Sequence, residues 1–185
     1  MRKTAPVTLD LNGIAKGYGV DRLAEVLQMH GNRAALVGID GELRSFGLRP
    51  DRQAWTIAIE APDIRRRAPL SMLALQDAAV ATSGDYRHWA NVQGRRLSHT
   101  MDPAKGAPLQ SSPASVTVVA PSCAEADAWA TALMVAGPTS GAELAQRNGL
   151  EALFVLHDNA DGLQTQGVGH LFRTISEAMT PDTKG

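Results

Sequence analysis

Asp127 and Thr131 stand four residues apart in "SCAEADAWATALMVAG", residues 122–137. That stretch reads as a helix, and residues four apart on a helix share one face. Neither type favours a helix interior, and Ala126, Ala130, Leu133 and Met134 form an apolar face close beside the pair. A carboxylate stacked over a hydroxyl offers the hard oxygen ligands that Mg²⁺ takes, with waters and carbonyls completing the shell. The same spacing also serves a structural arrangement, in which Thr131 bonds back to the carbonyl of Asp127 and Asp127 faces water.

Other residues offer chemistry of their own. In "GIAKGYG", Gly13, Gly17 and Gly19 open a helix directly after an extended segment. Free amides at a helix start attract phosphate, and Lys16 adds a point charge. The spacing matches neither the dinucleotide-binding fingerprint nor the P-loop, and close helix packing explains the glycines equally well. Ser83, Gly84 and Asp85 end a strand with small polar groups suited to backbone contact with a ligand. His99 and Asp102 lie three apart at the end of another strand. A His near a carboxylate acts as a base or a metal ligand; local hydrogen bonding in a turn is the alternative. His30, His88, His157 and His170 have no such setting and read as structural or surface residues.

The elements that must position these groups alternate between helices and hairpins. The glycine-led segment continues as a helix with Ile14, Val20, Leu23, Ala24 and Leu27 as its apolar pattern, and Gly31 as its stop. "RAALVGI" and "ELRSFGL" flank Asp40-Gly41, a strong hairpin signal. "AWTIAIEAP", "LSMLALQ" and "AAVATSG" read as further strands, and "DYRHWANVQGRRLSHT" as a hairpin turning at Gln93-Gly94. "DPAKGAP" is a loop and "ASVTVVAP" a strand. In the helix that follows, Ser122 is the expected N-cap and Glu125 holds the capping-box position. "SGAELAQRNG" is a last helix with Ser140 as its expected cap. "LEALFVLHD" is a buried strand, residues 159–162 turn, "LQTQGVG" returns, and "MTPDTKG" reads as frayed. Hairpins mixed with helices give an α+β fold, with mostly antiparallel sheets and packed helices.

Composition narrows the function classes. The chain has 185 residues, a formal net charge of -1 and one cysteine, Cys123. The charge balance gives no nucleic-acid footprint, and the basic run at Arg65, Arg66 and Arg67 reads as a solvated loop. A lone cysteine builds neither a disulfide framework nor a cysteine-rich zinc site; it reads as a small helix-start residue. No run is long enough to span a bilayer, and the start "MRKTAPVTLDLNG" lacks the apolar stretch of a signal peptide. As given, the sequence is expected to remain in the cytoplasm.

Taken together and in order, "LDLNGIAKGYGVDRLAE", "ALVGIDGELRSFG", "AVATSGDYRHW", "LSHTMDPAKGAP", "ASVTVVAPSCAEADAWATAL" and "GLEALFVL" resemble the ApbE family of FAD:protein FMN transferases. The resemblance spans about residues 7–157. It implies an α+β fold with an FAD cleft. It also implies Mg²⁺-dependent cleavage of the FAD pyrophosphate, with FMN attached through a phosphoester to a Thr or Ser of an acceptor protein and AMP released. Family acceptors include flavin-carrying subunits of sodium-pumping and electron-transfer complexes. The family's metal site maps onto the carbonyl of Ala15, onto Asp127 and Thr131, and onto the carbonyl of Ala130. Cofactor-binding positions map onto Asp10, Gly13, Lys16, Gly17, Ser83, Gly84, Asp85 and Ser98, and catalytic ones onto His99 and Asp102. His99 is the implied base or orienting group at the acceptor hydroxyl. A hydrolase passing FMN to water, and a flavin-binding remnant without turnover, are the alternatives.

The sequence departs from the family pattern at Asn12, Gly38, Asp40 and Lys105, while the implied metal residues are intact. Family chains are longer, with an export signal and flavin-contacting segments upstream. Residues 1–185 are therefore expected to form the C-terminal part of an ApbE-like domain. An upstream signal would imply a periplasmic or lipoprotein location. The chain alone is expected to fold poorly or to bind FAD weakly, because removing the upstream part exposes apolar surface.

Overall fold

The computed structural model describes residues 4–6, 8, 10–63, 68–84, 89–92, 95–109, 113–158 and 162–173. Helix α1 (Ala15–Met29) is followed by β1 (Ala35–Ile39), β2 (Glu42–Phe46), β3 (Trp55–Glu60), β4 (Pro69–Leu75) and β5 (Ala79–Gly84). Short strands β6 (Trp89–Val92), β7 (Arg95–Ser98), β8 (Met101–Asp102) and β9 (Ala107–Pro108) come next. The chain continues through β10 (Ser115–Ala120), α2 (Cys123–Ala136), α3 (Pro138–Arg147), β11 (Glu151–His157) and β12 (Leu163–Val168). Strands β1-β2-β5-β10-β11-β12 form one sheet in that order, every neighbouring pair antiparallel. The expected α+β class with mostly antiparallel sheets is what the chain builds.

The sheet has two dry faces, because alternate residues of a strand point opposite ways. Val116 and Val118 of β10, with Ala152 and Phe154 of β11, meet Ala130, Leu133 and Met134 of α2. On the reverse face Val119 meets the β3–β4 hairpin through Ile57, Leu73 and Leu75. There Leu153 and Val155 pack with Ile59 and Phe172. The expectation that residues 151–157 form a buried strand holds on both faces. Thr82 and Thr117 face each other across β5 and β10 with hydroxyls 2.8 Å apart, a paired polar contact inside the sheet. Helix α2 is thus clamped to the centre of the sheet, so groups on its flank are held on a rigid element.

Turn chemistry follows the sequence closely. Asp40 and Gly41 both take positive φ, 48° and 100°, as a two-residue type I′ hairpin between β1 and β2 requires. Gly31, at φ 84°, ends α1. Ser122 caps α2 by accepting from the Glu125 amide at 3.3 Å. Cys123 is the first residue of α2 and fully buried.

Two expectations require correction. Ser140 is not the cap of the last helix; it lies inside α3, which starts at Pro138 behind Gly137. Proline preset for the first helical position, preceded by Gly137 at φ 78°, lets one glycine end α2 and lead directly into α3. Ile14 and Leu23 are also not on the packed face of α1, being 38% and 46% exposed. The buried face consists of Gly17, Val20, Asp21 and Ala24, because α2 approaches along a row of small residues.

The basic run at 65–67, the turns at 93–94 and 159–161, and the C-terminal "MTPDTKG" lie outside the described residues. Among the described residues, no helix is long and apolar enough to cross a membrane.

Candidate active site

The two helices cap each other. The Gly17 amide, in the first turn of α1, donates to Asp127 Oδ2 at 2.9 Å. In return Asp21 of α1 accepts from the Cys123 amide through Oδ1 and from the Ala124 amide through Oδ2, both at 2.9 Å. Amides in a helix's first turn lack intrahelical partners, so each carboxylate satisfies donors that would otherwise be buried unpaired. Arg44 of β2 adds a 2.6 Å ion pair to Asp21. Contact this close needs Gly17: a Cβ there would stand 2.2 Å from the Cys123 carbonyl oxygen. For Gly17 the close-packing reading holds, and its amide is committed to Asp127.

Asp127 does not face water; it is 3% exposed. Nor does the Thr131 hydroxyl turn back to its own helix: it lies 3.2 Å from Ser83 Oγ at the end of β5. Gly13 closes over the same spot, since a Cβ there would come within 3.1 Å of Thr131 Cγ2 and 3.3 Å of Oγ1. Gly13, Gly17, Ser83, Asp127 and Thr131, drawn from three separate segments, therefore meet in one place.

Lys16, the second residue of α1, reaches Glu42 at the start of β2, with Nζ 2.7 Å from Oε1. Burial alone would lower the Lys16 pKa, but hydrogen bonding and charge attraction from Glu42 outweigh it and raise it. Burial also raises Glu42, against the pull of Lys16. Asp40 and Asp127 contribute further negative potential at the ammonium.

Other expected site residues lie around this junction or apart from it. Ala15, exposed, opens α1, and the methyl of Ala130 belongs to the core against the sheet. Exposed Asp10 accepts from the Asn12 amide at 2.8 Å, shaping the approach to α1. Gly84 ends β5 opposite Ser115, while Asp85 lies outside the described residues. Ser98 Oγ accepts from the Thr100 amide at 3.1 Å. His99 is exposed directly after β7. Asp102 accepts from the Ala104 amide at 2.9 Å and pairs with Lys105 at 3.2 Å, which holds its carboxyl below the usual range. Its side-chain bonds stay within its own turn, as the local reading of that spacing anticipated.

Among the described residues, no group of three or more His, Cys, Asp and Glu side chains gathers to hold a metal. A zinc-like site is therefore not built among the described residues. The oxygen groups that meet here are the Asp127 carboxylate and the hydroxyls of Thr131 and Ser83. That set fits Mg²⁺, which is commonly held by one or two carboxylates together with waters and substrate phosphates.

The decisive comparison concerns the whole segment order. The family profile described as "ApbE family" matches residues 1–154. The chain belongs to the ApbE family. It is 36% identical over 157 residues to the FAD:protein FMN transferase of Escherichia coli K12, covering 85% of this chain and 44% of that protein. It is 43% identical over 148 residues to the FAD:protein FMN transferase of Vibrio cholerae, covering 80% and 44%. The apo crystal structure of Pseudomonas stutzeri flavinyl transferase ApbE superposes with TM-score 0.77 at 43% identity, covering 94% of this chain and 53% of that one. The chain thus spans about half the length of the ApbE relatives it matches.

Within this ApbE segment, sequence reasoning missed Asp21, Glu42 and Arg44. For Asp21 a signal was available: it falls on the helical row that joins Gly17 to Ala24, the face that packs. Glu42 offered a weaker one, as an acid at the first position of a strand, directly after the hairpin turn.

Proposed function

We propose that this chain serves Mg²⁺-dependent transfer of FMN from FAD to a Thr or Ser hydroxyl of an acceptor protein, with release of AMP. The observation that carries this reading is the meeting of the α1 amino-terminal turn with Asp127, Thr131 and Ser83. Lys16 at the start of α1 supplies a cation for the pyrophosphate of a dinucleotide, and the helix dipole adds to it, while the Gly17 amide is committed to Asp127. Asp127 and Thr131, with the carbonyls of Ala15 and Ala130, are the residues to hold Mg²⁺. When bound, that ion supplies charge neutralisation on the pyrophosphate.

The chain's own residues then position and exchange a proton. Gly13, Lys16 and Ser83 orient the phosphates, Gly17 holds Asp127 in place, and Asp10, Gly84 and Ser98 serve the flavin side. The acceptor hydroxyl oxygen forms a bond to the FMN-side phosphorus, and the bridging P–O bond to AMP breaks. His99 takes the hydroxyl proton, and Asp102 fixes the turn beside it. Such transfer relies on positioning and electrostatics more than on covalent catalysis.

Incubation of the chain with FAD, Mg²⁺ and a peptide carrying an acceptor Thr tests this reading. At FAD concentrations high enough to offset the weak binding expected of the chain alone, a peptide mass gain of one FMN, abolished by EDTA, is expected. FMN and AMP without peptide gain would show hydrolysis instead, and retained FAD without AMP would show binding alone; either overturns transfer.

A further inference from the structure

Glu42 has a feature that structural need does not explain. Its side chain is 2% exposed, and Oε1 binds Lys16 at 2.7 Å. The second oxygen, Oε2, is buried without a hydrogen-bond partner. Leaving a buried carboxylate oxygen unpaired is costly, and a buried ion pair is weak grounds for stability. The acid also lies in the field of Asp127, another nearly buried carboxylate. An apolar residue at the start of β2 would pack here without these costs.

Lys16 supplies the other half of the argument. Its side chain is 42% exposed, so the ammonium lies between the protein and the space in front of α1. Of its three N–H donors one goes to Glu42. The other two find no protein partner among the described residues. A lysine on a four-carbon stem is otherwise mobile. Tied to a buried acid on a strand, it is fixed at the start of α1, where the Ala15, Gly17 and Tyr18 amides already have protein acceptors and the ammonium supplies the unused donors.

We propose that Glu42 is the positioning residue for Lys16, holding its ammonium in place to bind a pyrophosphate group at the start of α1. The inference rests on the dinucleotide reading above and extends it to a residue that does not itself touch the ligand. Glu42 fixes where the cation stands, and the unused donors of Lys16 meet the phosphate oxygens.

The test compares the wild-type chain, Glu42→Gln and Lys16→Met, with circular dichroism to establish folding. Trace acetylation of Lys16, read by mass spectrometry against exposed Lys105, reports how the amine is held. In wild type, inorganic pyrophosphate is expected to protect Lys16 several-fold. Glu42→Gln is expected to acetylate several-fold faster without ligand and to bind pyrophosphate about tenfold more weakly. Lys16→Met should show the same loss of pyrophosphate affinity, and the double variant no further loss, because coupled residues do not add. Unchanged acetylation in Glu42→Gln, no protection by pyrophosphate, or additive losses would each overturn the proposal. So would a Glu42→Gln variant that loses stability while keeping its pyrophosphate affinity, the mark of a merely structural pair. If wild type binds pyrophosphate at Lys16 but not FAD, the flavin reading falls and the positioning role stands.

Discussion

The amide of Gly17 and Oδ2 of Asp127 are 2.9 Å apart, and this bond joins the start of one helix to the middle of another 110 residues later in the chain. Its geometry depends on glycine. Gly17→Ala places a methyl 2.2 Å from the Cys123 carbonyl oxygen and 2.8 Å from the Ala124 amide nitrogen. Backbone cannot give way as a flexible side chain can, so α1 must move off α2. A loss of about 1–3 kcal/mol is expected, read as a lower urea midpoint. An unchanged midpoint would mean that the helices are not in this contact.

Asp21 carries the reciprocal cap. Asp21→Ala removes the acceptor for two amides at the α2 start and leaves Arg44 without its partner. The expected cost is about 2–4 kcal/mol. Asp21→Asn retains an acceptor oxygen and should cost less. Equal midpoints for the two variants would refute a capping role.

The contrast between Asp127 and Asp21 shows which parts of the site the sequence made legible. Asp127 stood out because a carboxylate and a hydroxyl share a face of a plainly apolar helix, and family order reinforced that pattern. The Asp40-Gly41 hairpin and the two-faced strand at residues 151–157 were equally readable, since local turn chemistry and burial period dictate them. Asp21 was hidden because its partners are amides 102 and 103 residues away, a pairing no local pattern encodes. The direction of the Thr131 hydroxyl was hidden for the same reason: Ser83 reaches it only after β5 and α2 have packed. Ser140 was misread because a good capping residue two positions inside the helix start competed with a Pro-led start that needs no side-chain cap.

Cys123 gives a pH-dependent prediction. Burial, then the nearby Asp21, Glu42 and Asp127 carboxylates, push its thiol from 9.0 up to about 12. Below pH 9 the thiol is protonated in both folded and unfolded chains and contributes no pH dependence. Between about 9 and about 12 the unfolded chain releases the proton and the folded chain keeps it. Stability therefore falls as pH rises, at up to about 1.4 kcal/mol per pH unit from this group. The urea midpoint of wild type should fall more steeply above pH 9 than that of Cys123→Ala, which lacks the group. Parallel curves would contradict the shift. Folded chain should also resist iodoacetamide at pH 8 until denatured, because the thiolate is the reactive form.

Asp127→Asn separates the structural task of this carboxylate from its proposed chemical one. The amide oxygen of Asn still accepts from Gly17, so the α1 cap survives and cooperative unfolding is expected, with a loss of about 1 kcal/mol or less. What disappears is the negative charge of the one carboxylate that adjoins Thr131 on its helix face. Mg²⁺ binding depends on that charge if Asp127 is a ligand. In wild type, millimolar Mg²⁺ added with FAD should raise the melting temperature, because a ligand that binds only the folded chain stabilises it by mass action. In Asp127→Asn the increment from Mg²⁺ should vanish, and Mg²⁺-dependent release of AMP should drop by about 10²-fold or more. Thr131→Val, which removes a neutral donor, should weaken the Mg²⁺ response without abolishing it. A full Mg²⁺-dependent melting shift in Asp127→Asn would remove Asp127 from the metal site and leave it only the cap it makes to Gly17.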